Sequence, residues 1–280
     1  HRGQEGAGIV TFDGNRFHGV RRTGLVGDHF NKPEVIGRLV GRNAIGHVRY
    51  STTGDSISRN IQPLYADLSS GGFACAHNGN LTNASLLRES LVNQGAIFQS
   101  TSDTETILQL VAKSNRERMV DKLVDALFKI QGAYSLVILT NKKLIGVRDP
   151  YGIRPLVLGD LNGAPVLSSE TCALDIIGAK YVRDVDNGEV IVISEEGVES
   201  IKPFPKVNER PCIFERIYFS RPDSIIGGKT VYSYRKNLGK ELAKEHPIDV
   251  DVVIPVPDSG VPAALGFSQQ SNIPFELGII

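Results

Sequence analysis

Short apolar segments separated by polar turns recur through most of the chain and predict strands rather than long helices. Near the start, residues 7–12 and 16–24 form a predicted hairpin across an Asp-Gly-Asn turn, and residues 43–50 form a further strand. Later segments with the same pattern cover residues 133–140, 143–147, 156–159, 166–168, 189–193 and 197–201. This succession predicts two sheets with helices packed outside them.

One polar sequence within this pattern carries candidate chemistry. The apolar run 73–76 predicts a buried strand, and the pair Asn78-Gly79 after it predicts a turn. A short helix over residues 85–91 follows, with its cap supplied at positions 82–83. Backbone N–H groups and an Asn amide aimed at one point are what an oxyanion hole requires. A plain turn remains the alternative at this stage.

Helical periodicity appears between and after the strands. The helix predicted over residues 101–112 begins with the capping-box sequence Ser102-Asp103-Thr104-Glu105, and the helix predicted over 119–130 has one apolar face. The predicted helices cover residues 34–40, 101–112, 119–130, 172–177 and 232–244.

The pattern changes after a Pro-rich linker at residues 202–206. Beyond it, the apolar run from Val250 to Pro255 predicts a buried strand of the kind found in parallel α/β sheets. We therefore predict two domains, comprising residues 1–205 and 206–280.

Composition limits the classes of function. Lys and Arg total 31 and Asp and Glu total 31, so the charge balance favours neither a nucleic-acid nor a membrane partner. No apolar run approaches the roughly 18 residues that span a bilayer. Three widely spaced cysteines indicate a reducing, cytoplasmic setting rather than a disulfide framework. The chain begins at His1 without Met and ends at Ile280 within an apolar pattern, and we interpret both ends as cuts through a longer protein.

Four motifs occur in a fixed order along the chain. They are His1-Arg2-Gly3-Gln4-Glu5, His47-Val48-Arg49-Tyr50-Ser51-Thr52, His77-Asn78-Gly79-Asn80 and Thr101-Ser102-Asp103-Thr104-Glu105. Together they resemble the glutaminase domain of the class II, N-terminal-nucleophile amidotransferases, which implies an α+β fold with four αββα layers. The pair Gln4-Glu5 is similar to the amidophosphoribosyltransferase branch, whose second domain is an α/β type I phosphoribosyltransferase.

The resemblance implies a partner for each polar group of glutamine. Arg49 would grip the α-carboxylate through a planar fork, and Asp103 would bind the α-ammonium. Asn78 and Gly79 would hold the oxyanion. From the residues alone, Arg49 is equally a surface ion pair, and Asp103 is sufficiently explained as an acid in a first helical turn.

Further residues of the same pocket are implied only by the family. Arg2 and Gly3 match positions beside the nucleophile, and Tyr50 and Thr52 match positions that line the glutamine site. Tyr50 is also implicated in coupling the two active sites. We interpret the loop at residues 148–156 as mainly structural, because its two prolines make rigid turns.

The family nucleophile is an N-terminal Cys whose own α-amine serves as the base, and no such residue stands at the start of this chain. His1 has no thiolate. Cys75 lies in an apolar run and Cys172 in a predicted helix, so both are interpreted as core residues. We therefore expect the 280 residues alone to lack glutaminase activity.

The last part of the chain carries a second resemblance. Asp258-Ser259-Gly260 is similar to the pyrophosphate loop of a phosphoribosyltransferase, where small residues let backbone N–H groups approach phosphate. Ser259 is either a Mg²⁺ ligand, as the family implies, or a helix N-cap. Cys212 is either a ligand of an iron–sulfur cluster of the 4Fe–4S type or a plain buried thiol.

The resemblance implies that glutamine supplies ammonia to phosphoribosylpyrophosphate, giving 5-phosphoribosylamine in the first step of purine synthesis. It also implies purine nucleotides as feedback inhibitors and a homo-oligomeric assembly. Two alternatives remain: a class II amidotransferase of the glucosamine-phosphate or asparagine synthetase type, and a non-catalytic paralogue that binds glutamine or a partner subunit.

Overall fold

The computed structural model describes residues 1–50 and 58–280. Strands β1 to β14 are Gly6–Phe12, Phe17–Thr23, Asn43–Arg49, Leu64–Leu68, Gly71–Leu81, Gly132–Thr140, Leu144–Arg148, Val157–Leu161, Ala164–Ser168, Lys180–Asp184, Val190–Ser194, Gly197–Ile201, Ile225–Ile226 and Lys229–Thr230. Helices α1 to α8 are Val26–His29, Pro33–Ile36, Ala84–Asn93, Thr104–Lys113, Met119–Leu127, Thr171–Ile177, Val231–Glu245 and Val261–Ser271. Across these two ranges, none of the helices has both the length and the apolar content to cross a bilayer.

A six-stranded antiparallel sheet in the order β12-β11-β7-β6-β5-β4 forms the centre of the fold. Along β5 the side chains alternate between the two faces, as the pleat of a strand requires. Phe73 and Cys75 point to the face covered by α4 and α5, where they share a core with Ile107 and Leu123. Apolar side chains at the spacing of one helical face explain why α5 packs on this sheet.

Two three-stranded sheets cover the opposite face of the central sheet. The sheet β2-β1-β3 packs through Val10 and Ile45 against Ala74 and Leu139. The sheet β10-β8-β9 packs in the same way through residues of β8 against β11. Helix α6 lies outside this second sheet and places Leu174 against it. The layers therefore run helix, sheet, sheet, helix, and the predicted αββα fold is confirmed.

Several local predictions were wrong. No turn forms at Asn78-Gly79, because β5 continues to Leu81 and pairs with β6 throughout this stretch. Helix α2 ends at Ile36, four residues before the predicted end. The predicted capping box is not formed. Asp103 is the N-cap of α4, but its side chain makes no capping hydrogen bond. The carboxylate of Glu105 instead accepts the backbone N–H groups of Gln99 and Ser100. The edge strand β10 was not predicted.

Residues 202–212 contain neither helix nor strand and lead into a π-helical turn, Glu215–Phe219. Helices α7 and α8 then pack so closely that a Cβ on Gly239 would lie 1.8 Å from the carbonyl oxygen of Ala263. The predicted buried strand over 250–255 was wrong, since Val253 makes one isolated parallel bridge with Phe275. The domain boundary near residue 205 stays a prediction.

Candidate active site

A cavity of about 500 Å³ opens where the central sheet meets the smaller sheets and the segment after residue 210. Residues that are far apart along the chain contribute to its wall. Of the residues selected from the sequence for the glutamine site, six line the cavity: Arg2, Arg49, Tyr50, Asn78, Gly79 and Asp103. Thr52 lies outside the described residues. The expected convergence around one cavity is therefore observed for these six positions.

Asn78 and Gly79 reach the cavity from within the strand β5. They pair with Ser135 and Tyr134 of β6, so the backbone of both residues is fixed by the central sheet. Gly79 has φ of 149°, and a Cβ there would lie 2.0 Å from the carbonyl oxygen of Ala133. Only glycine fits this close approach of two strands. The site residues consequently stand on rigid sheet rather than on a turn.

The amide of Asn78 has a strong partner that the sequence did not indicate. Nη2 of Arg154 donates to Oδ1 of Asn78 at 2.6 Å, whereas Nδ2 of Asn78 lies 3.5 Å from Oγ of Ser169. Arg154 belongs to the loop after β7 that was interpreted as mainly structural. The sequence feature that could have indicated it is an Arg inside a rigid loop with a proline near each end, Pro150 and Pro155.

Asp103 stands at the N-terminal end of α4 and turns its carboxylate toward the cavity. Oδ2 accepts the backbone N–H of Leu81 at 2.9 Å, and Oδ1 lies 3.7 Å from Nδ1 of His77. Burial disfavours the ionised carboxylate, but the hydrogen bonds and charge of His77 and the N–H groups of Leu81 and Thr104 outweigh burial and lower the pKa of Asp103. The cavity wall therefore carries a fixed negative charge at neutral pH.

Two histidines lie behind this carboxylate. The ring of His77 is within hydrogen-bonding distance of the Ala133 carbonyl at 3.3 Å and of the Thr104 hydroxyl at 3.4 Å. Burial and the nearby charges of His77 and Arg49 lower the pKa of His47 to about 4, against a hydrogen bond to the His77 backbone. Both histidines belong to the motifs, but no role was predicted for them.

Arg49 and Tyr50 come from the end of β3. Arg49 is only 4% exposed, and its Nη1 donates to the carbonyl of Asn60 at 3.2 Å. Tyr50 is exposed and lies edge-on to Phe219, with ring centroids 6.1 Å apart. A surface ion pair is thus the wrong interpretation of Arg49, because its side chain is buried in the cavity wall.

Arg2 and Gly3 pack beside β3. A Cβ on Gly3 would lie 2.5 Å from the backbone of Arg49. The chain therefore passes so close to β3 that a residue larger than glycine would not fit at position 3. The guanidinium of Arg2 binds two buried carboxylates, with 2.7 Å to Oε1 of Glu170 and 2.9 Å to Oε1 of Glu215. Arg2 therefore lines the cavity, but its donors are committed to protein carboxylates.

The groups that could hold a cation beside the cavity are poorly suited to one. Ligand atoms of His1, Glu170 and Cys172 lie within 4.8 Å of one another. Nη1 of Arg2 already lies 2.7 Å from Oε1 of Glu170, so the positive charge of Arg2 would repel a cation bound there.

The three cysteines are all unpaired thiols. Cys75 is 0% exposed in the core, and burial with the charge of Asp103 raises the pKa of its thiol. Cys172 is also buried, while Cys212 is half-buried at the edge of the cavity. A 4Fe–4S cluster takes four ligands, and residues 1–50 and 58–280 bring no such set together around Cys212.

The second predicted site lies apart from the cavity. Asp258 is exposed and Ser259 is half-buried in the turn before α8. Gly260 rather than Ser259 is the N-cap of this helix, so the N-cap interpretation of Ser259 was wrong. A Cβ on Gly260 would lie 2.6 Å from the carbonyl of Val256, which explains the small residue in this turn.

Known proteins resemble this chain along its whole length. Residues 47–175 match the family described as the glutamine amidotransferase domain. The amidophosphoribosyltransferase of Rhizobium etli is 57% identical over 285 residues, which cover 100% of this chain and 58% of that protein. The Bacillus subtilis amidophosphoribosyltransferase is 46% identical, and the match covers 100% of this chain and 59% of that protein.

Solved structures give the same result. The structure described as the allosteric regulatory enzyme of purine biosynthesis superposes with a TM-score of 0.95 at 46% identity, covering 99% of this chain and 60% of that one. The B. subtilis glutamine phosphoribosylpyrophosphate amidotransferase in complex with ADP and GMP superposes with a TM-score of 0.93 at 45% identity, with the same coverage of both chains. This chain thus spans less than two thirds of the proteins that it matches. Across that span, sequence and fold agree, and the chain belongs to the amidophosphoribosyltransferase family.

Proposed function

We propose that this chain carries the glutamine-hydrolysing part of an amidophosphoribosyltransferase. Glutamine would be hydrolysed in the 500 Å³ cavity, and the ammonia would convert phosphoribosylpyrophosphate to 5-phosphoribosylamine, the first step of purine synthesis. The observation that carries this proposal is the meeting of Arg49, Asp103, Asn78 and Gly79 at one cavity wall. The names of the relatives support the assignment of the second half-reaction.

Each polar group of glutamine has a suitable partner in this cavity. The buried guanidinium of Arg49 can bind the α-carboxylate through two parallel hydrogen bonds, and such charge-assisted bonds contribute about 1.5–3 kcal/mol each. The carboxylate of Asp103, held ionised by its lowered pKa, can bind the α-ammonium. These two contacts orient the side-chain amide of glutamine toward Asn78 and Gly79.

Asn78 and Gly79 would stabilise the tetrahedral intermediate. When a nucleophile adds to the side-chain carbonyl of glutamine, negative charge develops on its oxygen. Nδ2 of Asn78 and the backbone N–H of Gly79 are donors that the sheet holds in place before the reaction. Because these donors need no rearrangement, the charge is stabilised as it forms.

None of the cysteines within the 280 residues suits the role of nucleophile. Cys75 is sealed in the core with a raised thiol pKa, Cys172 is buried, and Cys212 follows the linker in mid-chain. We propose that the N-terminal cysteine of the family precedes these residues in the full-length protein. Steady release of ammonia from glutamine by the 280-residue chain alone would contradict this assignment.

The second half-reaction is proposed for the region after residue 206. Asp258 and Ser259 present a carboxylate and a hydroxyl, the hard oxygen ligands that Mg²⁺ prefers, in a turn exposed enough for phosphate to approach. Mg²⁺ bound there would offset the charge of a leaving diphosphate. Three further proposals come from the family resemblance: Cys212 as one of the four ligands of an iron–sulfur cluster, feedback by purine nucleotides, and assembly into a homo-oligomer in the cytoplasm.

Replacement of Asn78 by Ala tests the proposal. In the full-length protein, removal of one oxyanion donor should lower kcat for glutamine-dependent ammonia release by about 10²–10³-fold. Synthesis from added ammonium chloride and phosphoribosylpyrophosphate should remain, because it bypasses the glutamine site. Asn162→Gly, in the exposed turn between β8 and β9, is the matched control and should leave both activities unchanged. Undiminished glutamine hydrolysis by Asn78→Ala would disprove the assigned role.

A further inference from the structure

Arg154 makes the 2.6 Å contact with the amide of Asn78, and nothing in the family resemblance assigns it a role. We propose that Arg154 is a positioning residue: it orients Asn78 as an oxyanion donor and ties this orientation to the docking of the segment after residue 210. The inference rests on the proposed role of Asn78. It follows from how the loop holds Arg154, what the guanidinium contacts, and what in turn anchors the guanidinium.

Asp149 fixes the backbone of the loop that carries Arg154. Its side chain is completely buried, and Oδ1 accepts the N–H groups of Tyr151 and Ile153 at 3.0 and 3.1 Å. Oδ2 accepts the N–H of Arg154 itself at 3.1 Å. From the other side, Nε of Arg148 donates to the carbonyl of Arg154 at 2.9 Å. The start of the Arg154 side chain is therefore held in place by the fold.

The chemistry of the guanidinium decides which atom of the Asn78 amide faces it. Arginine has only N–H donors, so the atom at 2.6 Å must be the acceptor Oδ1. Nδ2 must then point away from Arg154, toward the cavity side where its distance to Ser169 is 3.5 Å, at the outer limit of a hydrogen bond. Arg154 thus excludes the flipped amide, which would present an oxygen to the oxyanion.

The guanidinium is anchored by the π-helical turn 215–219. The same Nη2 atom of Arg154 lies 2.8 Å from Oε1 of Glu215, whose side chain is 5% exposed. The guanidinium also lies over the ring of Phe219, 5.2 Å from its centroid. Both partners follow the predicted linker, so the orientation of Asn78 depends on residues outside the predicted glutaminase domain.

The turn is held against the Arg154 loop by backbone contacts. The N–H of Arg210 donates to the carbonyl of Tyr151 at 2.8 Å, and the N–H of Cys212 donates to the carbonyl of Ile153 at 3.2 Å. Glu215 additionally binds Arg2, so two guanidinium groups share one carboxylate. Displacement of this turn would leave both cations without that carboxylate, and Arg154 would lose the anchor that fixes it on Asn78.

A double-mutant cycle tests the inference in the full-length protein. Arg154→Gln should lower kcat for glutamine hydrolysis by about 10- to 100-fold while KM changes by less than about twofold, since the loss falls on the transition state. The effect should disappear in the Asn78→Ala background, because Arg154 then has no amide to orient. Glu215→Gln, which keeps the volume but removes the shared charge, should change kcat in the same direction.

Arg183→Gln is the matched control. Arg183 lies 2.7 Å from the fully buried carboxylate of Glu189, a pair of the same kind that does not line the cavity. Its loss should lower stability and leave kcat unchanged. Synthesis from ammonium chloride shows that each variant is folded.

The outcomes distinguish failure of the positioning role of Arg154 from failure of the proposed function. Equal losses from Arg154→Gln in the wild-type and in the Asn78→Ala background, or a loss confined to KM, would overturn the positioning role alone. An unchanged kcat in Asn78→Ala would overturn the proposed function and this inference with it.

Discussion

Residues 1–201 and 206–280 differ in how deeply they bury similar apolar side chains. Ile138 in β6 is 0% exposed, with sheet neighbours on both sides and a covered face. Ile254 lies in an equally apolar run but is 48% exposed, and Val256 two residues later is 71% exposed. Among the described residues, one bridge to Phe275 is all the strand pairing this run has. An apolar run therefore becomes a strand only where other strands supply hydrogen bonds and cover.

The same contrast separates the two predicted sites. Around the cavity, buried charged groups meet partners already in place, such as Asp103 with Leu81 and Arg154 with Glu215. In the second region, Asp258 stands exposed in its turn. The first site is thus preorganised within these 280 residues, which is what catalysis by fixed dipoles requires.

The largest expected effect is on the free energy of unfolding, when one isoleucine in each region is shortened to alanine. Ile138→Ala should lower the free energy of unfolding of the chain by about 2–5 kcal/mol, because it leaves a cavity in a closed core. Ile254→Ala removes the same atoms from a half-exposed site and should cost less than about 1 kcal/mol. Urea unfolding of both variants measures the difference. Equal losses would show that the second region is as well packed as the first.

The next effect concerns pH. The folded pKa of His47 is about 4, below the unfolded value of about 6.5. The unfolded state therefore binds more protons between these values, and stability falls as pH drops from 6.5 toward 4. This one group contributes up to about 3 kcal/mol over that window.

His47→Gln should accordingly flatten the decline in urea midpoint between pH 7 and pH 4.5. The exposed His246 of the second region provides the control, and His246→Gln should keep the wild-type slope. An identical slope in His47→Gln would show that other groups cause the acid instability.

The smallest effect tests whether the second region unfolds independently of the first. A Cβ on Gly266 would lie 1.9 Å from the carbonyl of Lys236, so Gly266→Ala should force α7 and α8 apart at a cost of about 1–3 kcal/mol. Hydrogen exchange should rise in these two helices and stay unchanged in β5 and β6. Gly27→Ala, where nothing lies within 4 Å, is the control. Increased exchange in both regions would mean that they unfold as one unit.

Periodicity predicted most of the first region because its signals are local. The hairpin of β1 and β2, the strand β3 and the apolar face of α5 all appear close to their expected bounds. The αββα order came from the motif resemblance, and the layers confirm it. These elements bury the faces that their own sequences mark as apolar.

The misses share a long-range cause. The Asn78-Gly79 pair favours a turn locally, but hydrogen bonds to β6 extend the strand through it. The contact of the Asp103 carboxylate with the backbone N–H of Leu81 in β5 was not predicted either. Arg154 could not be assigned to the site because its partner Glu215 lies 61 residues later along the chain. Contacts of this separation leave no periodic signal.

The carboxylate shared by Arg2 and Arg154 has a practical consequence for dissecting this protein. By composition, the natural place to cut the chain is the Pro-rich linker at 202–206, yet the carboxylate that Arg2 and Arg154 share at the cavity wall lies beyond it, in the turn 215–219, where Ser220 also binds it. A stand-alone version of the proposed glutaminase domain would have to include residues through Ser220. Ended before the turn, it would keep its sheets, but Arg154 would lose the carboxylate of Glu215 and Arg2 would keep only that of Glu170.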